Sequence, residues 1–174
     1  GSEMCIRDST IVGGFSALPA TVETTMRTLR ATATITRISG GDRYSTAANV
    51  ASNIVNTSGG SLAAVNGLKS VFLASGTSFA DAVIAAPGAY AGPNNSASTA
   101  VVPIMLTGKD TLAAATQAQM TLLNVKQVFV LGGTAVVSAA TAAEVTALGI
   151  EVVRLSGDNR YATAVAIAVK FTAK

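Results

Sequence analysis

Arg43 and Arg160 stand 117 residues apart in the same local frame, each just after a glycine-containing turn and each followed by Tyr and then, one residue on, Thr-Ala. Arg37 and Arg154 open those two frames, and Lys109 follows a third glycine turn. Cationic side chains at glycine-rich turns suit one kind of chemistry, the holding of phosphate or carboxylate. Free backbone N–H groups and positive helix ends would assist them. Gly40-Gly41 and Gly132-Gly133 supply such turns, so Arg37, Arg43, Lys109, Arg154, Arg160, Gly40, Gly41, Gly132 and Gly133 form the candidate anion-binding set. Arg43 and Arg160 also admit a structural reading, in which each Arg bonds carbonyls of a neighbouring turn while Tyr packs between units. That reading is favoured for a pair that recurs with a repeat, because repeats must preserve what joins one unit to the next.

Other chemistry is narrowed by composition. The chain has no histidine and one cysteine, Cys5, so Ser-His-Asp and Cys-His catalytic units, His-containing metal sites and a thiolate cage have no residues to form from. Of nine acidic residues, Asp42, Asp81, Asp110 and Asp158 fall just after expected strands, where a pair could do acid–base work. Helix capping explains them better, since the dipole favours acids there. Ser39-Gly-Gly-Asp-Arg43 is glycine-rich but is neither a dinucleotide fingerprint nor a Walker A sequence. No catalytic residue, metal or cofactor is therefore expected. The net charge of +3 is spread without a basic run, and the chain has no Trp, so nucleic acid is not an expected partner.

The elements that must position these residues alternate. Short β-branched or apolar runs at 10–12, 34–38, 70–74, 101–106, 126–131 and 151–155 are each followed by an Ala-rich stretch of helical character. These stretches lie near 16–30, 43–56, 79–91, 111–123, 138–148 and 160–172. The pattern predicts an α/β fold: a parallel sheet of about six βα units flanked by helices, with right-handed crossovers. Its glycine turns would share one edge, where ligands of open α/β sheets bind. Val71–Ala74 and Val128–Leu131 are continuously apolar, as central strands buried on both faces should be. Asp42 and its counterpart Asn159 sit where an N-cap belongs. Residues 57–68 and 92–100 read as polar loops, and 1–9 as a tag-like or disordered leader without an apolar signal region. Hydrophobic residues reach 49%, but no run of 18 occurs, so no membrane span is expected.

Beyond single motifs, the chain's two ends repeat. Arg37-Ile-Ser-Gly-Gly-Asp-Arg-Tyr-Ser-Thr-Ala47 returns as Arg154-Leu-Ser-Gly-Asp-Asn-Arg-Tyr-Ala-Thr-Ala164, and Gly13-Gly14 returns as Gly132-Gly133 at an offset of 119. Repetition at nearly fixed spacing marks a window of a repeating architecture. The first of those segments is followed in order by Leu73-Ala-Ser-Gly-Thr-Ser-Phe-Ala-Asp-Ala82, Pro103-Ile-Met-Leu-Thr107 and Val130-Leu-Gly-Gly-Thr-Ala-Val-Val-Ser138. This series resembles the cell wall binding repeat 2 (CWB2) module. On that resemblance residues 37–153 are one full repeat, 10–36 the tail of one repeat and 154–174 the start of the next, within a single α/β domain spanning 10–174.

The resemblance implies a Rossmann-like module, usually in tandem threes packed as a trimeric ring. It also implies export and noncovalent attachment of a surface protein to an anionic cell-wall polymer. Pro103–Thr107 matches the Pro-Ile-Leu-Leu-Thr segment associated with anchoring, with Met105 in place of Leu. By their apolar character these residues hold the strand rather than touch polymer. The expected function is thus a noncatalytic wall-binding module with an anionic glycopolymer, and further copies of itself, as partners. The alternative is a Rossmann-like enzyme or binder of a small phosphorylated ligand.

Overall fold

A computed structural model describes residues 8–57, 59, 61–91 and 101–172. The elements, in order, are β1 (Asp8–Val12), α1 (Ala20–Leu29), β2 (Thr34–Ile38), α2 (Arg43–Thr57), β3 (Ala64–Val65), β4 (Leu68–Ser75), α3 (Ala80–Ala91), β5 (Ile104–Thr107), α4 (Ala114–Leu122), β6 (Gln127–Leu131), α5 (Ala139–Ala147), β7 (Glu151–Leu155) and α6 (Arg160–Thr172). Every expected strand and helix forms, so the α/β reading holds. The single parallel sheet of six strands does not. Among the described residues β1 and β2 pair only with each other, whereas β5, β4, β6 and β7 form a separate parallel sheet in that order. The physical reason lies in α2. This helix leaves β2 and buries Ala51 and Val55 among Leu73, Met105 and Met120 of the larger sheet's core, so the β1–β2 pair joins that sheet through a helix rather than through a strand ladder.

Three boundaries also move. Asp8 and Ser9 belong to β1 rather than to a leader, while residues 1–7 and the expected loop at 92–100 lie outside the described residues. The expected loop at 57–68 contains β3, a two-residue strand antiparallel to the start of β4. Its turn is Asn66-Gly67, with φ of 54° and 81°, the left-handed pair that a tight hairpin requires. β5 begins at Ile104 because Pro103 has no N–H to give a ladder, although its carbonyl still accepts from Phe72 N at 2.9 Å.

The larger sheet is covered on both faces. On one side lie α2, α4 and α5, with Val71, Leu73, Met105, Val128 and Val130 beneath them. On the other lie α3 and α6, over Phe72, Ala74, Phe129 and Leu131. Phe72, Phe129 and Phe171 meet there with ring centroids 5.0–5.9 Å apart, in tilted and edge-on arrangements that aromatic rings prefer. β6 throughout, and β4 from Ser70 to Ser75, are the buried central strands that their unbroken apolar runs predict.

Candidate functional site

The C-terminal ends of β1 and β2 and the start of α2 face β5 across a cleft of about 570 Å³. One wall is the turn after β1, with Gly13, Gly14, Ser16 and Ala17. The floor is Gly40, Gly41, Asp42, Arg43 and Thr46, and the far wall is Ile104 and Leu106. Strand periodicity explains that far wall. Met105 and Thr107 are fully buried on one face of β5, so Ile104 and Leu106 point to the other, where they pack partly against the Phe72–Phe129 core and stay half-exposed to the cleft.

The floor is shaped by a close turn. A Cβ on Gly40 would lie 2.6 Å from the carbonyl carbon of Ser45, so only glycine lets the chain fold back onto the first turn of α2. Gly40 N then donates to Thr46 Oγ1 at 2.9 Å. Asp42 caps the helix as expected: its Oδ1 accepts from Ser45 N and from Ser45 Oγ, both at 2.7 Å. Those two bonds, with Arg43 adding a smaller Coulombic pull, hold the Asp42 carboxyl below the usual range.

The five candidate cations do not converge. Arg43 lines the cleft, but its Nη1 donates to the Gly76 carbonyl at 2.6 Å, and the Tyr44 ring lies where a Gly76 side chain would be. This is the contact to a neighbouring turn that the structural reading describes. Arg37 is turned inward. Its Nη1 donates to the carbonyls of Gly13 at 2.7 Å and Leu18 at 3.1 Å, its Nε meets Glu23 Oε2 at 3.3 Å, and its side chain is 11% exposed. Arg154 repeats the arrangement at the end of β7, donating to the Gly132 carbonyl at 2.8 Å, and burial pushes its guanidinium below its usual value. Among the described residues, the side chains of Lys109 and Arg160 have no hydrogen-bond or ion-pair partner, and both are exposed.

Of the candidate set, then, Gly40, Gly41 and Arg43 share the cleft. Gly132, Gly133 and Arg154 lie at the β6–β7 ends, Arg160 at the start of α6, and Lys109 beyond β5. Sequence reasoning assigned Ile104 and Leu106 to holding the strand, and they do pack against the core beneath α3 and α6. The part it missed is that both also line the cleft.

Among the described residues, no group of three or more His, Cys, Asp or Glu side chains can hold a metal ion, and no helix is long and apolar enough to cross a membrane. The fold is thus an α/β sheet covered on both faces, whose edge strand β5 meets a separate two-stranded sheet across a glycine-floored cleft. The chain belongs to the cell wall binding domain 2 (CWB2) family, whose model matches residues 37–142. It is 34% identical over 134 residues to N-acetylmuramoyl-L-alanine amidase LytC of Bacillus subtilis (strain 168), covering 77% of this chain and 23% of that protein. Its fold is similar to Cwp6 from Clostridium difficile, with a TM-score of 0.74, 19% identity, and 95% of this chain against 24% of Cwp6 covered. Cwp8 from the same organism gives a TM-score of 0.67 at 25% identity, over 96% of this chain and 24% of Cwp8. The chain thus spans about a quarter of the length of these relatives.

Proposed function

We propose that this chain is a noncatalytic module that anchors a secreted or surface protein to an anionic cell-wall glycopolymer, with residues 10–36, 37–153 and 154–174 as the tail, body and head of successive repeats. The observation that carries this reading is the meeting, in one cleft, of the Gly40-Gly41 turn, the start of α2 and the outward residues of Pro103–Thr107. The Asp42 carboxylate already caps the start of α2, so an anion in the cleft would depend on the surrounding cations and the open Gly41 backbone. Ile104 and Leu106 give the apolar wall that a sugar backbone can lie along. Lys109 and Arg160, uncommitted among the described residues, supply charge away from the cleft, at the ends of β5 and β7, and the partnered Arg37, Arg43 and Arg154 add positive potential behind the glycine turns. Weak contacts along a polymer add through multivalency. Tyr161, Val165 and Val169 on α6 are 61–78% exposed, and association with further units of the same kind through them belongs to the same proposal.

The test is sedimentation of the chain with purified cell walls across a salt series, with and without removal of the anionic polymer. Binding should fall steeply between low and high salt, because exposed charges are screened over about 8 Å at physiological ionic strength. Retention that survives stripping of the polymer, or is indifferent to salt, overturns the reading.

A further inference from the structure

The β1–β2 pair has a counterpart in the same chain, and the counterpart is more complete. β1 corresponds to β6 at an offset of 119 residues and β2 to β7 at an offset of 117. The two pairs share one register, since Asp8 faces Thr34 as Gln127 faces Glu151. β6 also has a second neighbour: its other edge pairs in parallel with β4, where Ser70 through Leu73 face Gln127 through Val130. The same edge of β1 is unpaired among the described residues. Gly13 N donates to the Ile38 carbonyl, so by strand alternation Ile11 also turns to β2 and the Thr10 N–H points to the open edge. Such an edge is a template for a further strand.

A hollow beside the pair points to the same neighbour. Met26, Leu29, Ala33 and Ile35, with Ser9 and Arg30, line a cavity of about 180 Å³ under α1. Helix α1 buries none of its residues, and Leu29 is 75% exposed. In the second copy the positions of Met26, Ala33 and Ile35 are held by Val145, Ile150 and Val152. There Val145 and Ile150 are buried in one core with Met120 of α4 and with Val125, and Val152 packs against that core. The hollow is therefore the place that Met120 and Val125 fill in the counterpart. β4 and α4 belong to one stretch of chain, so a single segment would close both the edge and the hollow.

We infer that the free edge of β1 and the hollow under α1 form a docking surface for the β4-to-α4 segment of another repeat of this kind, added as a parallel strand in the register of β4 on β6. The counterparts of Ser70, Val71, Phe72 and Leu73 would then face Asp8, Ser9, Thr10 and Ile11. A second copy of this chain does not serve as donor, because its β4 is already paired with β5 on one side and β6 on the other. This docking rests on the division into repeats proposed above and not on polymer binding.

The experiment joins a copy of residues 37–126 directly to Asp8, the junction that the 119-residue offset prescribes. This extended chain is compared with the parent by amide hydrogen exchange, thermal melting and light scattering. The Thr10 amide should exchange freely in the parent and at least about tenfold more slowly in the extended chain. Thr10→Pro removes that N–H without touching a β1–β2 bond, so it should leave melting of the parent unchanged and lower that of the extended chain. A single melting transition with Thr10 unprotected would mean that the repeats meet elsewhere, which overturns the docking while the repeat division stands. Two independent transitions overturn the division itself. A Thr10 amide already protected in a dimeric parent overturns the docking in favour of edges paired between copies. A second measurement does not depend on folding of the longer chain: the peptide Lys69–Ser75, added to the parent, should slow Thr10 exchange. N-methylation at Val71, whose N–H faces β6 in the chain, should abolish that effect. N-methylation at Phe72, whose N–H goes to the Pro103 carbonyl, should not. A peptide without effect on Thr10 counts against the strand site.

Discussion

The first βαβα segment, β1 through α2, and its later counterpart, β6 through α6, share turn chemistry nearly bond for bond and differ in what covers them. Gly13 N donates to the Ile38 carbonyl at 2.8 Å, and Gly132 N to that of Leu155 at 2.9 Å. Gly40 N reaches Thr46 Oγ1 at 2.9 Å, and Gly157 N reaches Thr163 Oγ1 at 3.1 Å. Yet all five residues of β6 are buried, against Ile11 alone in β1. The helices diverge as well. α6 buries Thr163, Ile167 and Phe171, whose equivalents in α2 are the half-buried Thr46, Val50 and Ile54. α2 instead buries Ala48, Ala51 and Val55, and the equivalent of Ala48 is Val165, 61% exposed. The difference teaches that the repeated residues encode turns and caps. Burial is decided by which sheet lies beneath each helix, and each helix carries a second stripe for another neighbour.

The strongest way to break this comparison is at the deepest unequal pair. Phe171→Ala should cost about 3–5 kcal/mol in chemical denaturation, because the ring closes the aromatic cluster with Phe72 and Phe129. Ile54→Ala at the equivalent, half-buried position should cost less, under about 2 kcal/mol. Equal losses would mean that the two helices are anchored alike, contrary to their burial. A smaller contrast lies at the Arg-Tyr pairs. Arg43→Ala gives up a charge-assisted bond to the Gly76 carbonyl, worth about 1 kcal/mol once its exposure is discounted. Arg160→Ala removes no intramolecular bond among the described residues and should stay within about 0.5 kcal/mol. If Arg160→Ala destabilises as much as Arg43→Ala, the two junctions are not in the different states described above.

These contrasts also mark how far the sequence could be read. Strands and helices were legible because apolar runs and Ala-rich stretches follow local rules, as the coincidence of α6 with 160–172 and the capping by Asp42 and Asn159 show. The split into two sheets was not legible, because it turns on where α2 buries Ala51 and Val55, and α2 carries more than one stripe capable of burial. β3 was marked by Asn66-Gly67, but a strand of two residues has too little alternation to register. At the site, glycine spacing located the turns. The direction of Arg37 and Arg154, inward onto Gly13 and Gly132 carbonyls, depends on how each turn closes against its strand, which residue types do not specify.

The smallest expected effect is the most specific to the repeat, because it follows an Asp in one copy and an Asn in the other. Asn159 Oδ1 accepts from Tyr161 N and Ala162 N at 3.0 Å, so Asn159→Ala should cost about 1 kcal/mol at any pH near neutrality. Asp42 performs the same service as a carboxylate whose pKa is lowered chiefly by the Ser45 backbone and hydroxyl bonds. A lowered folded-state pKa contributes stability that is fully present above the unfolded value of about 3.9 and is lost as pH falls through the folded one. Asp42→Asn should therefore melt like the parent at pH 7 and lose less than the parent as pH drops below about 4. Glu23, lowered chiefly by its Arg27 bond, titrates in the same window in both proteins, so the difference between the two melting curves isolates Asp42. Parallel acid limbs would show that the Asp42 cap is worth no more charged than neutral, and the two copies would then be equivalent in this respect as well.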